Sequence, residues 1–243
     1  MVEIVCMSLA ARLHRAVTFA QWDHPQRILI DRFVARAAQQ LPSAAHILDA
    51  GAGESRYAGA FAHCHYVACD RGVGDAAWNY TRLDVVADVV ALPFRKESFD
   101  AVLCANVLEH VKEPPSAVRD MAMVLKPGGK LYMSVPFLGD PIHQEPNDFF
   151  RYTQYGLRQL IQGAGLRPVS IAPMGGLFFL VCSSFWWCAV MYRTSNAGKL
   201  RIIASGMLLL AARFTTMLTM SLCLTHRNAG HFTCGYTVVA EKR

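Results

Sequence analysis

The chain is 243 residues long, 53% hydrophobic and 17% charged, with a formal net charge of +6. Soluble domains usually carry about 25% charged residues, and this composition excludes intrinsic disorder, which needs low hydrophobicity and high charge. The basic residues are spread along the chain rather than clustered, which argues against a dedicated nucleic-acid binder.

The length suits one α/β domain with apolar mass to spare. Apolar residues at helical spacing (Leu9, Leu13, Val17, then Ile28, Leu29, Phe33, Ala37) predict helices over 3–20 and 26–40, an N-terminal pair within residues 1–43. Glu3 and the late Arg12 and Arg15 read against a signal peptide. From residue 44 short apolar runs end in turns. His46–Ala50, Tyr66–Asp70, Asp100–Ala105 and Lys130–Val135 read as buried parallel strands, the first feeding a helix through a glycine turn. Residues 113–125 and 153–164 read as helices, and Leu166–Ile171 and Tyr236–Ala240 as further strands. Alternating strands and helices predict a Rossmann-like α/β fold with helices on both faces of a mainly parallel sheet. Its core spans 44–172 and 233–243, with an apolar helical insertion at 173–232. The eight cysteines form no CxxC pair and sit mostly in apolar runs, which points to a reducing, cytoplasmic compartment. His63-Cys64-His65 alternates across a strand without the remaining ligands of a metal site.

In such a sheet, ligands bind beyond the carboxyl ends of the strands. The first strand ends in Asp49-Ala50-Gly51-Ala52-Gly53, where glycine lets backbone approach a ligand, and Asp70 closes the next strand, where a carboxylate suits ribose hydroxyls. A dinucleotide site wants a third glycine where Arg56 stands, and Glu54 repels a pyrophosphate. Asp49, Glu54 and Asp70 suit a cationic cofactor such as S-adenosylmethionine. The alternatives are an NAD-dependent oxidoreductase and a non-catalytic, membrane-associated protein of the same fold.

Ile47–Gly53 resembles the first motif of class I S-adenosylmethionine-dependent methyltransferases. Ala87–Phe94, Ser98–Val111 and Val124–Leu131 resemble their adenine-binding turn, their fourth strand with its following turn, and the turn into their fifth strand, in the same order. The resemblance implies a seven-stranded sheet whose last strand runs antiparallel, with S-adenosylmethionine as cofactor. It implies that Gly51 and Gly53 line the methionine moiety, Asp70 the ribose, Asp88 and the Val89 amide the adenine, and that Asn106 lies beneath the cofactor. Some family members place a metal-binding carboxylate three residues before a Glu-His pair such as Glu109-His110. Asn106 occupies that position here and is a poor ligand, so no metal is expected.

A general base matters only where the methyl acceptor carries a proton to lose. Residues 136–153 follow the fifth strand, and their H-x-x-P-x-D-F-F-R-Y-T pattern resembles a bacterial methyltransferase subgroup. His143 is the candidate base, with Tyr152 or Glu145 as runners-up, and Glu145 and Arg151 as acceptor-binding groups. The competing reading is a rigid loop in which Asp148 pairs with Arg151 and Thr153 caps the next helix. Residues 175–192 hold no charge, and 202–224 are interrupted by Arg213. A spanning hairpin would put Arg193, Lys199 and Arg201 on the outer side, against the positive-inside tendency. The expected contacts of 175–224 are therefore a membrane interface, a lipid-like or small acceptor, or a second copy of the chain.

Overall fold

The computed structural model describes residues 25–74, 77–194, 204–208, 210–212, 214–215 and 232–243. The predicted helix at 3–20 and the charges at Lys199, Arg201 and Arg213 lie outside them. In chain order the elements are α1 (Pro25–Gln39), β1 (His46–Ala50), β2 (His65–Asp70), β3 (Val85–Val86), β4 (Phe99–Ala105), α2 (Pro114–Val124), β5 (Leu125–Pro136), α3 (Gln154–Gly163), β6 (Leu166–Met174), α4 (Leu177–Thr194) and β7 (Gly235–Lys242). Seven strands form one sheet in the order β3-β2-β1-β4-β5-β7-β6. The first five are parallel, and β7 runs antiparallel between β5 and β6.

The strands point successive residues to opposite faces, and each face carries its own helices. Ile47, Ala101, Leu103 and Tyr132 pack under Ile30, Val34 and Ala37 of α1. Their neighbours Leu48, Val102, Leu131 and Met133 pack under Val118 and Met121 of α2 and Leu157 and Ile161 of α3. Asp100, at the amino end of β4, accepts the His46 amide and the Lys126 ammonium, a role in strand pairing remote from the carboxyl edge. His63 Nε2 lies against the Ala38 and Leu41 carbonyls and Cys64 Sγ against Pro42 O, so this pair serves the α1–β1 connection.

One expectation fails after β1. The glycine turn leads into turns and a single 3-10 turn, Ala58–Phe61, instead of an α-helix. Gly51, Gly53 and Ser55 take positive φ angles of 86°, 54° and 57°, which a right-handed helix does not contain. There is thus no helix terminus at this loop on which a pyrophosphate would rest.

The apolar insertion begins with α4, which packs against α1. Phe179, Cys182, Ser183 and Ala189 are its buried side, while Leu177, Val181 and Phe185 form an exposed stripe at i, i+4, i+8. Residues 204–208, 210–212 and 214–215 are helical, and the Cys182 thiol donates to Thr215 Oγ1 at 3.1 Å, joining the two helices. Met207, Leu210 and Phe214 are exposed as well. Among the described residues no helix is long and apolar enough to cross a membrane.

Candidate functional site

Because β1, β2, β4 and β5 are parallel, everything after their carboxyl ends gathers on one edge of the sheet. Two groups of residues stand there: a glycine cradle after β1 and β2, and a histidine cluster after β4 and β5.

In the cradle, Asp70 accepts the Gly53 amide at 2.9 Å and the Gly72 amide at 2.8 Å, tying the two turns together. A side chain at Gly51 would meet Val107 at 2.3 Å, and Gly51 has a left-handed φ, so glycine is required there for packing as well as for backbone geometry. Asn106 accepts the Ser134 hydroxyl at 2.9 Å and holds a φ of 53° at the end of β4. Asp88 binds the Val90 amide at 3.2 Å and faces Arg71 at 3.5 Å, and the Val89 side chain is buried beneath it.

Asp49 is placed differently from Asp70. It is 1% exposed, and the Tyr66 hydroxyl donates to its Oδ2. Burial pushes its carboxyl up to about 7 against that hydrogen bond, and Asp70 adds to the push. Asp49 therefore supports the loop from below and does not present its carboxylate to a ligand, a correction to the sequence reading. The structure adds residues that the pattern of the chain did not single out. Trp78, 41% exposed, lies with its ring 3.4 Å from the position of a Cβ on Gly53, and Tyr80 packs beside it and accepts the Gly74 amide. Glu54 takes the Asn79 amide at 2.9 Å, so this aromatic flap is fastened to the glycine turn. No periodicity announces an isolated tryptophan in a polar loop.

The second group is built by the loop after β5 folding back onto the 3-10 turn Leu108–His110. The Phe149 amide donates to Glu109 O at 2.8 Å, and His110 Nδ1 meets Asn147 O at 2.7 Å. Asp148 accepts both Arg151 guanidinium nitrogens and the His143 amide, which holds its carboxyl down at about 2. Arg151 also reaches Pro141 O, so it clamps the loop, and Thr153 Oγ1 accepts the Gly156 amide as the cap of α3. His143 stands edge-on to His110 with ring centroids 4.8 Å apart, and its Nδ1 lies 3.1 Å from Pro141 O. Glu145 is exposed. Tyr152 is 8% exposed, and its hydroxyl donates to Leu108 O at 3.0 Å. Its phenol is raised above its ordinary range by that burial, so the expectation that Tyr152 serves as a base is corrected: it is a core residue beneath the loop.

Glu109 is fully buried between these elements, and neither carboxylate oxygen has a hydrogen-bond partner among the described residues. Burial pushes it up to about 8, with only its own backbone amide and the Arg151 charge pulling the other way, while Asp140 and Asp148 add to the rise. Desolvation also lowers His110. A donor atom from each of Glu109, His110 and His143 lies within 4.8 Å of the others. The single carboxylate inside the apolar run Val107-Leu108-Glu109-His110-Val111 was the visible signal for this cluster.

The family model described as "Methyltransferase domain" matches residues 48–133, the segment from β1 through most of β5. Residues 48–133 therefore carry a methyltransferase domain. Two curated relatives match over part of the chain. A tRNA (carboxymethyluridine(34)-5-O)-methyltransferase of Arabidopsis thaliana is 34% identical over 107 residues, 42% of this chain and 26% of that protein. A demethylmenaquinone methyltransferase of Renibacterium salmoninarum is 35% identical over 144 residues, 56% of this chain and 55% of that one. The chain thus spans about half or less of the length of these relatives. The solved 1,6-didemethyltoxoflavin-N1-methyltransferase of Burkholderia thailandensis, bound to S-adenosylhomocysteine, shares the methyltransferase domain's fold. Its TM-score is 0.52 at 17% identity, covering 96% of this chain and 84% of that one.

Proposed function

We propose that the protein transfers a methyl group from S-adenosylmethionine to a hydroxyl of a small or lipid-linked acceptor, with His143 as the general base. The observation that carries this reading is the cradle. Gly51, Gly53 and Asp70 form an acidic, glycine-lined turn at the carboxyl edge of the parallel sheet, and no α-helix terminus is present to receive a pyrophosphate. The residues fit the cofactor. Asp70 keeps lone pairs for ribose hydroxyls after taking two backbone amides, Asp88 lies at the adenine end, and Trp78 offers an aromatic face above Gly53. When bound, S-adenosylmethionine supplies a methyl group on a sulfonium, which is already a good electrophile.

The chain's own part is then to orient, to exclude water and to move one proton. Asp148 and Arg151 hold the His143 backbone. With Nδ1 toward Pro141 O, His143 carries its lone pair on Nε2, the atom that would take the acceptor proton. Glu145, exposed on the same loop, is the candidate acceptor contact, whereas the Arg151 guanidinium expected in that role is engaged by Asp148 and Pro141 O. The names of the relatives point to two acceptor classes, a quinone precursor and a tRNA uridine. The scattered basic residues disfavour nucleic acid. The exposed stripe of Leu177, Val181 and Phe185, with Met207, Leu210 and Phe214 also exposed in the same insertion, favours an apolar acceptor or a peripheral membrane surface, in a cytoplasmic setting.

Calorimetry is expected to show S-adenosylmethionine binding and no tight binding of NAD, and the reverse result would overturn the reading. With an acceptor found by labelled-methyl screening, His143→Ala is expected to keep cofactor affinity and lose about 10²–10⁴ in kcat. Wild-type turnover by that variant would remove His143 from the chemistry.

A further inference from the structure

We propose that Glu109, His110 and His143 form a binding site for a divalent transition-metal ion. The argument starts from Glu109. A carboxylate at 0% exposure, with no other side chain hydrogen-bonded to either oxygen among the described residues, is expensive unless a cation or a proton neutralises it. The guanidinium nearby is already taken, since Arg151 gives two nitrogens to Asp148. Two imidazoles face the carboxylate instead, with His110 Nε2 3.8 Å from Glu109 Oε1 and one donor atom from each of the three residues within 4.8 Å of the others.

The histidines are set up as ligands. His110 directs Nδ1 at Asn147 O, 2.7 Å away, and His143 directs Nδ1 at Pro141 O, 3.1 Å away. A ring nitrogen next to a carbonyl oxygen carries the proton, which leaves the Nε2 lone pair of each ring available. This is the outer contact that orients histidines at metal centres. Two imidazoles and one carboxylate suit Zn²⁺, Fe²⁺ or Co²⁺ better than Mg²⁺ or Ca²⁺, and three protein ligands leave coordination positions open. Ligand bonds of about 2.1 Å require donor atoms roughly 3–3.5 Å apart. His143, which lies on a loop and is partly exposed, is the ligand able to move in by the difference.

The site stands at the carboxyl edge where the acceptor is proposed to bind. A bound ion would take up the His143 Nε2 lone pair that the proposed reaction uses, so the ion-loaded form and the form in which His143 acts as base exclude each other. Ion binding itself does not depend on methyl transfer, so it is measured on the full chain with no cofactor or acceptor present. After dialysis against a chelator, Co²⁺ titration followed by visible absorption is expected to show one bound ion per chain, displaced by Zn²⁺. His110→Ala and His143→Ala are each expected to weaken Co²⁺ binding by at least about tenfold, while their circular dichroism remains that of wild type. His143→Ala guards the test against misfolding, because that side chain lies on a loop outside the core. Absence of stoichiometric binding, or equal binding by wild type and His143→Ala, would overturn the proposal. Glu109 would then be a buried carboxylic acid kept neutral by a proton.

Discussion

Single residues at the cradle carry tests that separate support from contact. Gly51→Ala would place a methyl 2.3 Å from a Val107 Cγ and force alanine to a φ of 86°. The overpacking and the backbone strain together are expected to cost about 2 kcal/mol or more, read as a lower denaturation midpoint together with weakened cofactor binding. Asp49 tests its buried position through pH. Its carboxyl is raised from 3.8 to about 7, so between those values the folded protein holds a proton that the unfolded chain releases. Its contribution to stability is therefore complete below pH about 4 and is lost as pH rises through about 7. Asp49→Asn removes this dependence. Its stability relative to wild type is expected to improve steadily between pH 4 and 8, by an amount on the order of a few kcal/mol. Parallel pH dependence of the two proteins would show that Asp49 is ionised in the fold. Gly51, Gly53 and Asp70 were legible from residue type and spacing, because a strand–glycine-turn–strand–carboxylate order has few physical meanings. The burial of Asp49 was not, because it depends on Tyr66 from the neighbouring strand.

At the scale of elements, the loop after β5 is held by local chemistry that the chain displays openly. Asp148 and Arg151 are three residues apart and pair, and Thr153 precedes α3 as a cap. Thr153→Ala is expected to lower stability by about 1 kcal/mol, seen in chemical denaturation, with cofactor affinity unchanged. A larger loss would mean that the cap also holds the loop after β5. The strands were legible because their apolar runs are short and bounded by turns, and the structure extends β5, β6 and β7 by a few residues at their ends. The missing helix after β1 shows where pattern reading stops. Its residues permit a helix by composition, but positive φ angles at Gly51, Gly53 and Ser55 commit the segment to turns that bring its amides to Asp70.

On the whole molecule, the α4 stripe gives a test of what the apolar surplus meets. Leu177, Val181 and Phe185 face outward from a helix whose other side packs on α1. Wild type is expected to float with anionic vesicles, and a Val181→Glu, Phe185→Glu double variant to remain in solution while still binding cofactor. A wild type that does not float would leave the stripe to acceptor or subunit contacts. The sequence by itself determined the parallel α/β core and the order of its motifs, since strand periodicity, glycine turns and terminal carboxylates are local properties that survive in a string of letters. Only the tertiary structure decided that Tyr152 and Asp49 turn inward, that Trp78 covers Gly53, and that His143 joins Glu109 and His110. Each of these depends on distance and burial between segments far apart in the chain, and it is burial that sets whether a polar group faces a ligand or the core.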